Sequence, residues 1–522
     1  MSDATCRAVE VPEKYNVSSM LDANMAAGRA AKVAIICGDE RITYGELLAR
    51  VSRMGGALRR LGVRRGERVI LVLGDTPIFP VAFFGALRIG AVPCLINPLF
   101  SEDDYRFFIE DAGASVVVTD AMHGDKVGRA LADYPGDATI VAPAAVAPAA
   151  TAGRSVSLDD LLSAEEDVLS PADTRRDDMA FWLYSGGSTG RPKAVVHTHQ
   201  NIPWTCETYA RRVLGVQEGD ICFARVLFHA YGLGGGVTFP IWAGASSVLY
   251  PDRPTPAGLL KAIERHRPSL LFLVPTLYHL ILRDPASASA NLGSLRHCVS
   301  AAEPLPPEIW RRWRDTFGLE ILDGLGSTEM LHIFCSNTPE AMRPGSSGKP
   351  VPGYDLRLVA EDGAAIAGGD AGTLHVRGGS AAVGYWRQQA KTRHAMLGEW
   401  MSTGDRFRVD SDGFYWYEGR ADDMIKIGGE WVSPIEIESV LVEHPAVREV
   451  AVVGVRVNNV MRIRAAVVLV ADTAGTLALT IELQEWCKTR LRRYQYPHLI
   501  DYAGELPRTA TGKVQRFKLR ET

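Results

Sequence analysis

The sequence predicts an α/β fold, in which a large N-terminal domain with several α/β-layered sheets precedes a small α+β domain. The chain has 522 residues, of which 47% are hydrophobic and 23% are charged, so it is long enough to bury more than one core. Apolar runs of strand length alternate with amphipathic runs of helix length, and this alternation is typical of sheets covered by helices. The composition then changes around Gly419, where a short polar run begins.

The first elements have local start and stop signals. Thr43 and Glu46 have the spacing of a capping box, and Gly62 follows the amphipathic run that ends at Leu61, so a helix is expected between them. A β-α-β succession comes next and recurs later in the chain. Its elements are expected at 68–73 (strand), 77–89 (helix), 91–96 (strand), 259–265 (helix) and 269–274 (strand).

One stretch of the N-terminal part departs from this alternation. Residues 134–153 are rich in Ala, Pro and Gly, and Pro and Gly interrupt regular structure. The stretch is therefore expected to be a surface excursion.

A domain boundary is predicted at Asp422, which gives an N-terminal domain at 1–421 and a C-terminal domain at 422–522. The run 419–423 is polar. About a hundred residues follow it, and that length is enough for a small domain.

The C-terminal part has its own helix and strand signals. Ser433 and Glu436 have the spacing of a capping box, with Pro434 in the first turn, so a helix should begin there. The other elements are expected at 450–455 (strand), 464–470 (strand) and 480–493 (helix).

Charge and cysteine usage exclude several classes of protein. The formal net charge is -4, so nucleic acid is not expected as a partner. The eight cysteines are scattered, without a CxxC pair, which is typical of reduced thiols in a cytoplasm, and their spacing does not predict a zinc site.

Nothing in the sequence predicts a membrane partner. The N-terminus lacks a basic segment followed by an apolar one, so no leader is expected. The most apolar stretch, 69–97, is interrupted by Asp75, Pro77, Pro80 and Arg88, so it does not qualify as a membrane span. A soluble, cytoplasmic protein is expected.

The segment YSGGSTGRPKAVVHTH, at 184–199, predicts a phosphate-binding loop. Glycine lets backbone N–H groups approach oxyanions, and the hydroxyls and the lysine add further donors. The nucleotide P-loop pattern does not fit, because Pro192 precedes Lys193. The flanking runs 179–184 and 194–199 are apolar and β-branched, so a strand-turn-strand arrangement is expected. A plain turn without a ligand is the alternative that these residues leave open.

The order of six motifs resembles that of the adenylate-forming superfamily, which includes acyl-CoA synthetases, carrier-loading adenylation domains and luciferases. The resemblance covers nearly the whole chain. The motifs lie at 184–193, 227–232, 323–329, 402–405, 419–423 and 507–513. Within the superfamily, the segments 326–334 and 427–436 are similar to those of the benzoate-CoA ligase branch, including 2-aminobenzoate (anthranilate)-CoA ligases.

The resemblance implies an ATP-dependent aryl-CoA ligase that uses ATP, Mg²⁺ and coenzyme A, with a homodimer as the habit of the family. It implies catalytic roles for four residues: Lys513, Thr328, Glu329 and His229. Lys513 would be the cation at the reacting carboxylate, and Glu329 would be the Mg²⁺ ligand. The ATP and AMP contacts that it implies are Ser185, Gly186, Gly187, Ser188, Thr189, Gly190, Lys193, Ala302, Glu303, Pro304, Asp323, Gly324, Leu325, Thr328, Asp405 and Arg420. For single residues the residue types also allow plainer roles, such as an exposed lysine, a helix-start acid or a surface salt bridge at Arg420.

The resemblance also implies an acyl pocket and a moving domain. The pocket residues are His229, Ala230, Tyr231, Ala301, Gly326, Leu331, His332 and Ile333. Small residues beside aromatic ones suit one ring better than a long alkyl chain. The hinge is implied at Asp422, and the coenzyme A channel at Gly428 and Gly429, where missing side chains would let a narrow thiol arm pass.

The two pocket histidines bear on the substrate. His229 and His332 together favour an ortho-substituted benzoate such as 2-aminobenzoate, although either could be a core histidine with its hydrogen bonds satisfied. Benzoate-CoA ligases tend to have Phe at the position of His229. Three other departures from the superfamily pattern are Gly186 in place of Ser, and Ala194 and Ala302 in place of Gly.

Two other functions remain open at this stage. One is a stand-alone adenylation enzyme that loads an aryl acid onto a carrier protein. The other is a non-catalytic nucleotide-binding regulator. The joint presence of Lys193, Glu329 and Lys513 argues against the regulator, because a binding module does not need the group that stabilises the transition state.

Overall fold

The structure is a computed structural model of the whole chain. It describes residues 9–132, 134, 136–143, 155–163, 166, 168–187, 190–366, 369–427, 430–457, 460–508 and 514–521. Five residues predicted to act in the site lie outside these ranges: Ser188, Thr189, Gly428, Gly429 and Lys513.

The chain divides into two compact units. The first comprises Met1–Gly187, Arg191–Asp355 and Val376–Met401, and the second comprises Ser188–Gly190, Leu356–His375 and Ser402–Thr522. Both units contain helices and sheets, as the predicted fold class requires. Asp422 lies in a short 3-10 turn, Ala421–Asp423, and the predicted boundary there stays a prediction.

The first unit contains a nine-stranded sheet, counted over the described residues. Its central strands are parallel, and the strands at both edges pair antiparallel. The spatial order is Lys349–Pro350, Ile333–Ser336, Ile321–Gly326, His297–Ser300, Leu270–Leu273, Ile221–Ala224, Ser246–Leu249, Val33–Cys37 and Glu40–Thr43.

A second sheet of the first unit has eight strands within the described ranges. Five neighbouring pairs are parallel, and the first strand pairs antiparallel with the second. The spatial order is Gly384–Tyr385, Gly190–Thr198, Met179–Gly187, Val92–Ile96, Arg68–Val72, Val116–Thr119, Thr139–Ala142 and Ser155–Ser157.

Helices of the first unit connect these strands. Between parallel strands they act as crossovers, which such pairing requires. The α-helices are Ser19–Ala26, Tyr44–Arg60, Ile78–Arg88, Glu102–Ala112, Gly124–Leu131, Leu158–Ser163, Asn201–Thr205, Ala230–Leu233, Phe239–Ala243, Pro256–His266, Pro275–Arg283, Pro307–Phe317 and Gln389–Ala395. Two π-helical turns, Cys206–Arg211 and Gly234–Thr238, and a 3-10 turn, Pro285–Ser289, lie between them.

The remaining strands form three sheets. The six-stranded sheet has the order Ala365–Ile366, Asp355–Val359, Gly372–Arg377, Trp400–Val409 and Met396–Leu397, with Tyr415–Arg420 also paired to Trp400–Val409. The two smaller sheets are Ile425–Ile427 with Glu430–Val432, and Val447–Val457, Val460–Leu469 and Leu499–Tyr502. The helices that accompany the smaller sheets are Pro434–Val442, Leu477–Lys488 and Arg516–Glu521.

Most of the predicted elements are confirmed. Thr43 caps the helix Tyr44–Arg60 in a full capping box with Glu46. The strands Met179–Gly187 and Gly190–Thr198 follow the predicted strand-turn-strand order, but they extend further than expected and include all of the predicted loop except residues 188–189. The seven described cysteines are free thiols, and no helix in the described ranges is long and apolar enough to cross a membrane.

The prediction of a surface excursion at 134–153 is wrong for part of its length. Thr139–Ala142 is a largely buried strand that pairs in parallel with Val116–Thr119. Its four residues are short for a sequence pattern, and the surrounding Ala, Pro and Gly hid their β-branched core. Residues 144–153 lie outside the described ranges.

The predictions for the C-terminal part need two corrections, one to the bounds of a helix and one to the capping box of another helix, which begins at Pro434 as expected. The helix expected at 480–493 is Leu477–Lys488, because Thr476 caps it with a hydrogen bond from the N–H of Leu479. Ser433 caps the helix Pro434–Val442, but the capping box is incomplete. The Glu436 carboxylate instead accepts a hydrogen bond of 2.6 Å from Gln495, a partner 59 residues away.

The stability of the fold depends on pH through two buried histidines. One lies on the strand Gly190–Thr198 and the other directly follows it. Burial lowers the pKa of His197 to about 4 and that of His199 to about 4, whereas an unfolded histidine has a pKa near 6.5. The unfolded chain therefore binds more protons below pH 6.5, and stability is lost as the pH falls.

We expect the free energy of unfolding to be about 3 kcal/mol lower at pH 5.5 than at pH 8 from these two groups. Denaturant unfolding across this range measures the slope. His199→Asn, whose amide oxygen can replace Nδ1 as the acceptor for the N–H of Val17, should lessen this loss of stability by about 1.4 kcal/mol, the share of one histidine. An unchanged slope in this variant would contradict the assignment.

Candidate active site

Lys193, Glu329 and Tyr385 meet at the strand that follows the predicted phosphate loop. The Lys193 ammonium lies 3.4 Å from Oε1 of Glu329. The Tyr385 hydroxyl donates a 2.8 Å hydrogen bond to the same oxygen, and the centre of its ring is 3.8 Å from Nζ of Lys193. The side chains of Lys193 and Glu329 are only 21% and 15% exposed, so the two charges are held together and partly shielded from water.

Tyr385 is a site residue that the sequence analysis missed. The strand Gly384–Tyr385 pairs antiparallel with Val195 and Val196, two and three residues after Lys193. The distance along the chain is so large that no motif spacing connects them. Only the pairing of the two strands places the phenol beside Glu329.

Backbone contacts fix the segment that carries Thr328 and Glu329. The N–H of Ala382 donates to the carbonyl of Glu329 over 2.8 Å. His197 donates from Nε2 to the carbonyl of Thr328 over 2.8 Å, while its ring stacks on Phe181 at 5.0 Å. Since burial keeps His197 neutral, this hydrogen bond holds Thr328 without adding charge.

The described part of the phosphate loop has an available hydroxyl. Oγ of Ser185 is buried and has no hydrogen-bond partner among the described residues. Tyr184 anchors the start of the loop through a 2.9 Å hydrogen bond to Asp111. Gly187 and Gly190 end and begin the two flanking strands. Gly186 is exposed, and a Cβ there would meet no atom within 4 Å, so the backbone does not require glycine at this departure.

The other two departures lie at ordered backbone positions. Ala194 is buried in the strand after the loop. Ala302 has φ +75°, a left-handed conformation that favours glycine. The glycine expected at Ala302 therefore has a conformational reason, and alanine retains that conformation at some cost in strain.

Residues 303–325 contribute two further predicted ATP segments. Glu303 accepts a 2.7 Å hydrogen bond from the hydroxyl of Thr276, and Pro304 beside it is exposed. Asp323, followed by Gly324 and Leu325 in the strand Ile321–Gly326, is buried, and burial raises its carboxyl pKa well above the usual range. Its Oδ1 has no partner within the described structure, so a bound donor would satisfy it.

His332 lies in an aromatic enclosure among the predicted acyl-pocket residues. Its ring centre is 4.5 Å from that of Phe239, 5.4 Å from that of Tyr209 and 5.6 Å from that of Tyr231. Burial lowers its pKa to about 3, so the imidazole is neutral. Nε2 donates to the carbonyl of Tyr231 over 3.2 Å, and Nδ1 has no partner among the described residues.

The rest of the predicted pocket lies around two tight turns. Leu331 has φ +66°, and a Cβ on Gly326 would lie 2.7 Å from the carbonyl oxygen of His332. The other pocket residues are Ala301, which is buried, Ile333, at the start of the strand Ile333–Ser336, His229, which precedes the helix Ala230–Leu233, and Ala230 and Tyr231 within it. The Tyr231 hydroxyl donates to the carbonyl of Val299 over 2.8 Å.

In the second unit, Asp405 and Arg420 face each other on paired strands. Arg420 donates to Oδ1 of Asp405 over 3.1 Å and to the carbonyl of Thr403 over 3.1 Å. The Arg420 side chain is 48% exposed, so the pair itself contributes little to stability. It does hold the Asp405 carboxylate in one orientation.

The flanks of Lys513 are described although the lysine itself is not. Arg508 and Val514 form an antiparallel bridge, and the N–H of Gln515 donates to the carbonyl of Pro507 over 2.7 Å. Arg516 then donates to both carboxylate oxygens of Glu438, each over 2.8 Å. Hydrogen bonds therefore hold the described residues on both sides of Lys513, and Glu438 is a second residue that the sequence analysis missed.

Two family models match the chain. The model described as AMP-binding enzyme matches residues 23–386, and that described as AMP-binding enzyme C-terminal domain matches residues 436–513. The first match alone spans more than half of the chain. The protein belongs to the family of AMP-binding enzymes.

Several individual proteins that resemble this chain are CoA ligases of small aromatic acids. The benzoate--CoA ligase of Thauera aromatica is 44% identical over 98% of this chain and 97% of its own length. The solved anthranilate CoA ligase AuaEII, in complex with anthranoyl-AMP, is 37% identical with a TM-score of 0.91 over 98% of each chain. A benzoate CoA ligase from Burkholderia xenovorans LB400 is 42% identical with a TM-score of 0.87, over 97% of this chain and 100% of that chain. The predicted fold class, the ligase class and the resemblance to the benzoate-CoA ligase branch are confirmed.

Tyr385→Phe tests the contacts around Glu329. This change removes the hydroxyl that donates to Glu329 but keeps the ring beneath the Lys193 ammonium, so we expect the KM for ATP to rise about five-fold. Tyr385→Leu removes both contacts and should have a larger effect. Initial rates measured against ATP concentration give the KM.

Tyr278→Phe is the matched control, because it removes a buried hydroxyl that donates to the carbonyl of Val299 over 2.9 Å. Its KM for ATP should be that of the unchanged protein. If Tyr385→Phe and Tyr278→Phe gave the same KM, Tyr385 would have no special role in the ATP site.

Proposed function

We propose that the protein is an ATP-dependent ligase that joins a small aromatic carboxylate to coenzyme A. A carboxylate oxygen attacks the α-phosphorus of ATP, and the bond to the β-phosphate oxygen breaks, so that acyl-AMP forms and pyrophosphate leaves. The thiolate of coenzyme A then attacks the acyl carbon, and AMP leaves with the electrons of the acyl-oxygen bond. The relatives named above, which are benzoate and anthranilate CoA ligases, support this reaction.

The observation that carries the proposal is the short segment between Gly326 and Ile333. It holds Glu329, beside the Lys193 ammonium, and three residues later His332, inside the aromatic enclosure. We assign Glu329 to the phosphate part of the acyl-adenylate, because it is a carboxylate beside a cation. We assign His332 to the aryl part, because it lies among aromatic rings. One short loop therefore carries both of the residues that we assign to the two halves of an acyl-adenylate.

The residues assigned to the phosphates of ATP are chosen by their charge and their hydrogen-bond donors. The transition state of adenylation carries negative charge on the phosphates, so it is stabilised by cations and fixed donors rather than by a covalent nucleophile. We assign the β- and γ-phosphates to Ser185, Lys193 and the undescribed Ser188 and Thr189. The α-phosphate is assigned to Thr328, the adenine to Asp323 and its neighbours, and the ribose hydroxyls to Asp405.

The residues present fit a magnesium ion. Glu329, whose Oε1 contacts Lys193 and Tyr385, offers a carboxylate, which is the ligand type that Mg²⁺ prefers. No cluster of three or more His, Cys, Asp or Glu that could hold a metal occurs in the described ranges. Mg²⁺ is commonly held by one or two carboxylates together with phosphates and water. Bound at Glu329, it would neutralise phosphate charge.

The aryl side follows from polarity. An aromatic ring fits among aromatic side chains, and His332, with its Nδ1 unpartnered in the described structure, offers one acceptor. We propose benzoate and 2-aminobenzoate as the substrates, with the amino group of the latter donating to Nδ1. A long alkyl chain is not expected as a substrate, because small residues beside aromatic ones suit one ring better.

The two half-reactions require different groups at one acyl carbon. We propose that the domain at 422–522 turns about Asp422 between them. Lys513 would serve adenylation, and Gly428 and Gly429 would line the path of the thiol arm afterwards. The partners in this scheme are small molecules, and the homodimer stays a prediction.

Lys513→Ala tests the reaction scheme. We expect adenylation, followed as carboxylate-dependent exchange of pyrophosphate into ATP, to fall about a hundred-fold or more, because the cation at the transition state is lost. Thioester formation from supplied aryl-AMP and coenzyme A should fall much less. Equal losses in both half-reactions would contradict the assigned role, and adenylation without thioester in the unchanged protein would favour the carrier-loading enzyme.

His332→Phe tests the substrate. The change keeps an aromatic ring but removes the Nδ1 acceptor, so the ratio of kcat/KM for 2-aminobenzoate over benzoate should fall about ten-fold. Detection of the thioester by mass gives both rates. His229→Phe, which introduces the residue that benzoate-CoA ligases tend to have, is the comparison. If His229→Phe changed the ratio and His332→Phe did not, His229 would be the residue that recognises the substituent.

A further inference from the structure

Asp75 is a buried carboxylate that the reaction scheme leaves unused. It follows the strand Arg68–Val72 of the eight-stranded sheet and is 6% exposed. Oδ2 accepts a 2.9 Å hydrogen bond from the N–H of Val226, and Oδ1 accepts one of 2.9 Å from the N–H of Leu227. These partners are 151 and 152 residues away in the sequence. The carboxylate therefore clamps two consecutive amides of a distant turn.

The clamped turn has a conformation that its sequence does not favour. Val226 has φ +61°, in the left-handed region, where a β-branched residue is a clear outlier. Its side chain is 39% exposed, so packing around it contributes little. Arg225 approaches Oδ2 of Asp75 to 3.8 Å and donates to the carbonyl of Asp252 over 2.9 Å. The two accepted N–H groups, with this ion pair, hold the turn in place.

The turn leads directly into the predicted acyl pocket. The N–H of His229 donates to the carbonyl of Val226 over 2.9 Å. A Cβ on Gly232 would lie 2.1 Å from the carbonyl oxygen of Arg225 and 2.3 Å from that of Val226, so the short helix packs on the turn without any gap. Within that helix, the carbonyl of Tyr231 accepts the hydrogen bond from His332. A shift of the turn would therefore move the pocket wall.

We propose that Asp75 is a positioning residue for the acyl pocket, which acts through the turn at Val226 to place His229, Tyr231 and, through Tyr231, His332. This inference rests on the proposed aryl-CoA ligase function. It assigns to Asp75 an effect on the carboxylic acid substrate and none on ATP, because the contacts of Glu329 with Lys193 and Tyr385 do not include the turn.

Asp75→Asn separates these effects with the least change in volume. The amide retains one acceptor oxygen, but its NH₂ group replaces the other and faces a backbone N–H. We expect the KM for benzoate and for 2-aminobenzoate to rise about ten-fold or more, since a hydrogen bond to a charged acceptor is lost. The KM for ATP should stay within about two-fold of the original value.

Asp220→Asn is the matched control. Asp220 is 4% exposed, accepts a 2.9 Å hydrogen bond from the N–H of Gln217 and pairs with Arg296 at 2.8 Å. It precedes the strand Ile221–Ala224, whose other end leads to the clamped turn. The control therefore removes the same chemistry from the opposite end of one strand. It should lower the thermal stability as Asp75→Asn does, but leave the KM for the aryl acid unchanged.

Steady-state kinetics and thermal unfolding of the full-length protein test whether Asp75 positions the acyl pocket. A rise in the aryl-acid KM for Asp75→Asn alone supports the positioning role. Equal KM changes in the two variants, or equal rises for ATP and the aryl acid, would overturn it. Failure of the unchanged protein to form an aryl thioester would instead overturn the proposed function.

Val226→Gly keeps the test decisive if Asp75→Asn does not fold. Glycine adopts positive φ without strain, so the turn needs the carboxylate less in this background. Asp75→Asn is then compared with Asp75 in proteins that both contain Val226→Gly. A smaller but still selective rise in the aryl-acid KM supports the clamp, and no rise overturns it.

Discussion

The close backbone approach between Gly326 and His332 is the constraint on which the candidate site depends. The strands Ile321–Gly326 and Ile333–Ser336 pair antiparallel, with Gly326 opposite Ile333, and a side chain at Gly326 would collide with the backbone of His332. The six residues between the strands must therefore form a closed loop. That loop carries both Glu329 and His332, the two residues that we assign to the phosphate side and the aryl side of the proposed acyl-adenylate.

Charge pairing stabilises this arrangement before any substrate arrives. Lys193 and Glu329 are both mostly buried, and a buried charge without a partner is costly. Each neutralises the other, and the Tyr385 hydroxyl supports the carboxylate. Bound phosphates would give Lys193 a second anionic partner. His332 differs from this pair, since burial keeps its imidazole neutral, and a neutral imidazole can accept a hydrogen bond.

The sequence predicted those helices and strands whose start and stop signals lie within a few residues along the chain. The capping box at Thr43, the strand pairs around the phosphate loop and the β-α-β successions were found because their determinants lie within a few residues. The buried strand Thr139–Ala142 was missed, because its four residues take their stability from parallel neighbours rather than from their own pattern. Glu436 shows the same limit, since Gln495 competes successfully for its carboxylate.

The sequence by itself determined the class of chemistry, because six motifs in a fixed order identify the family, and each motif is a short run of residues such as the phosphate loop that ends at Lys193. It also named Glu329 and His332. Only the tertiary structure showed which distant residues support the candidate site. Tyr385 donates to Glu329 from a paired strand, Glu438 accepts from Arg516, and Asp75 accepts from the turn before the predicted pocket. The physical reason is that hydrogen bonds and burial depend on distance in space, which residue spacing along the chain does not encode.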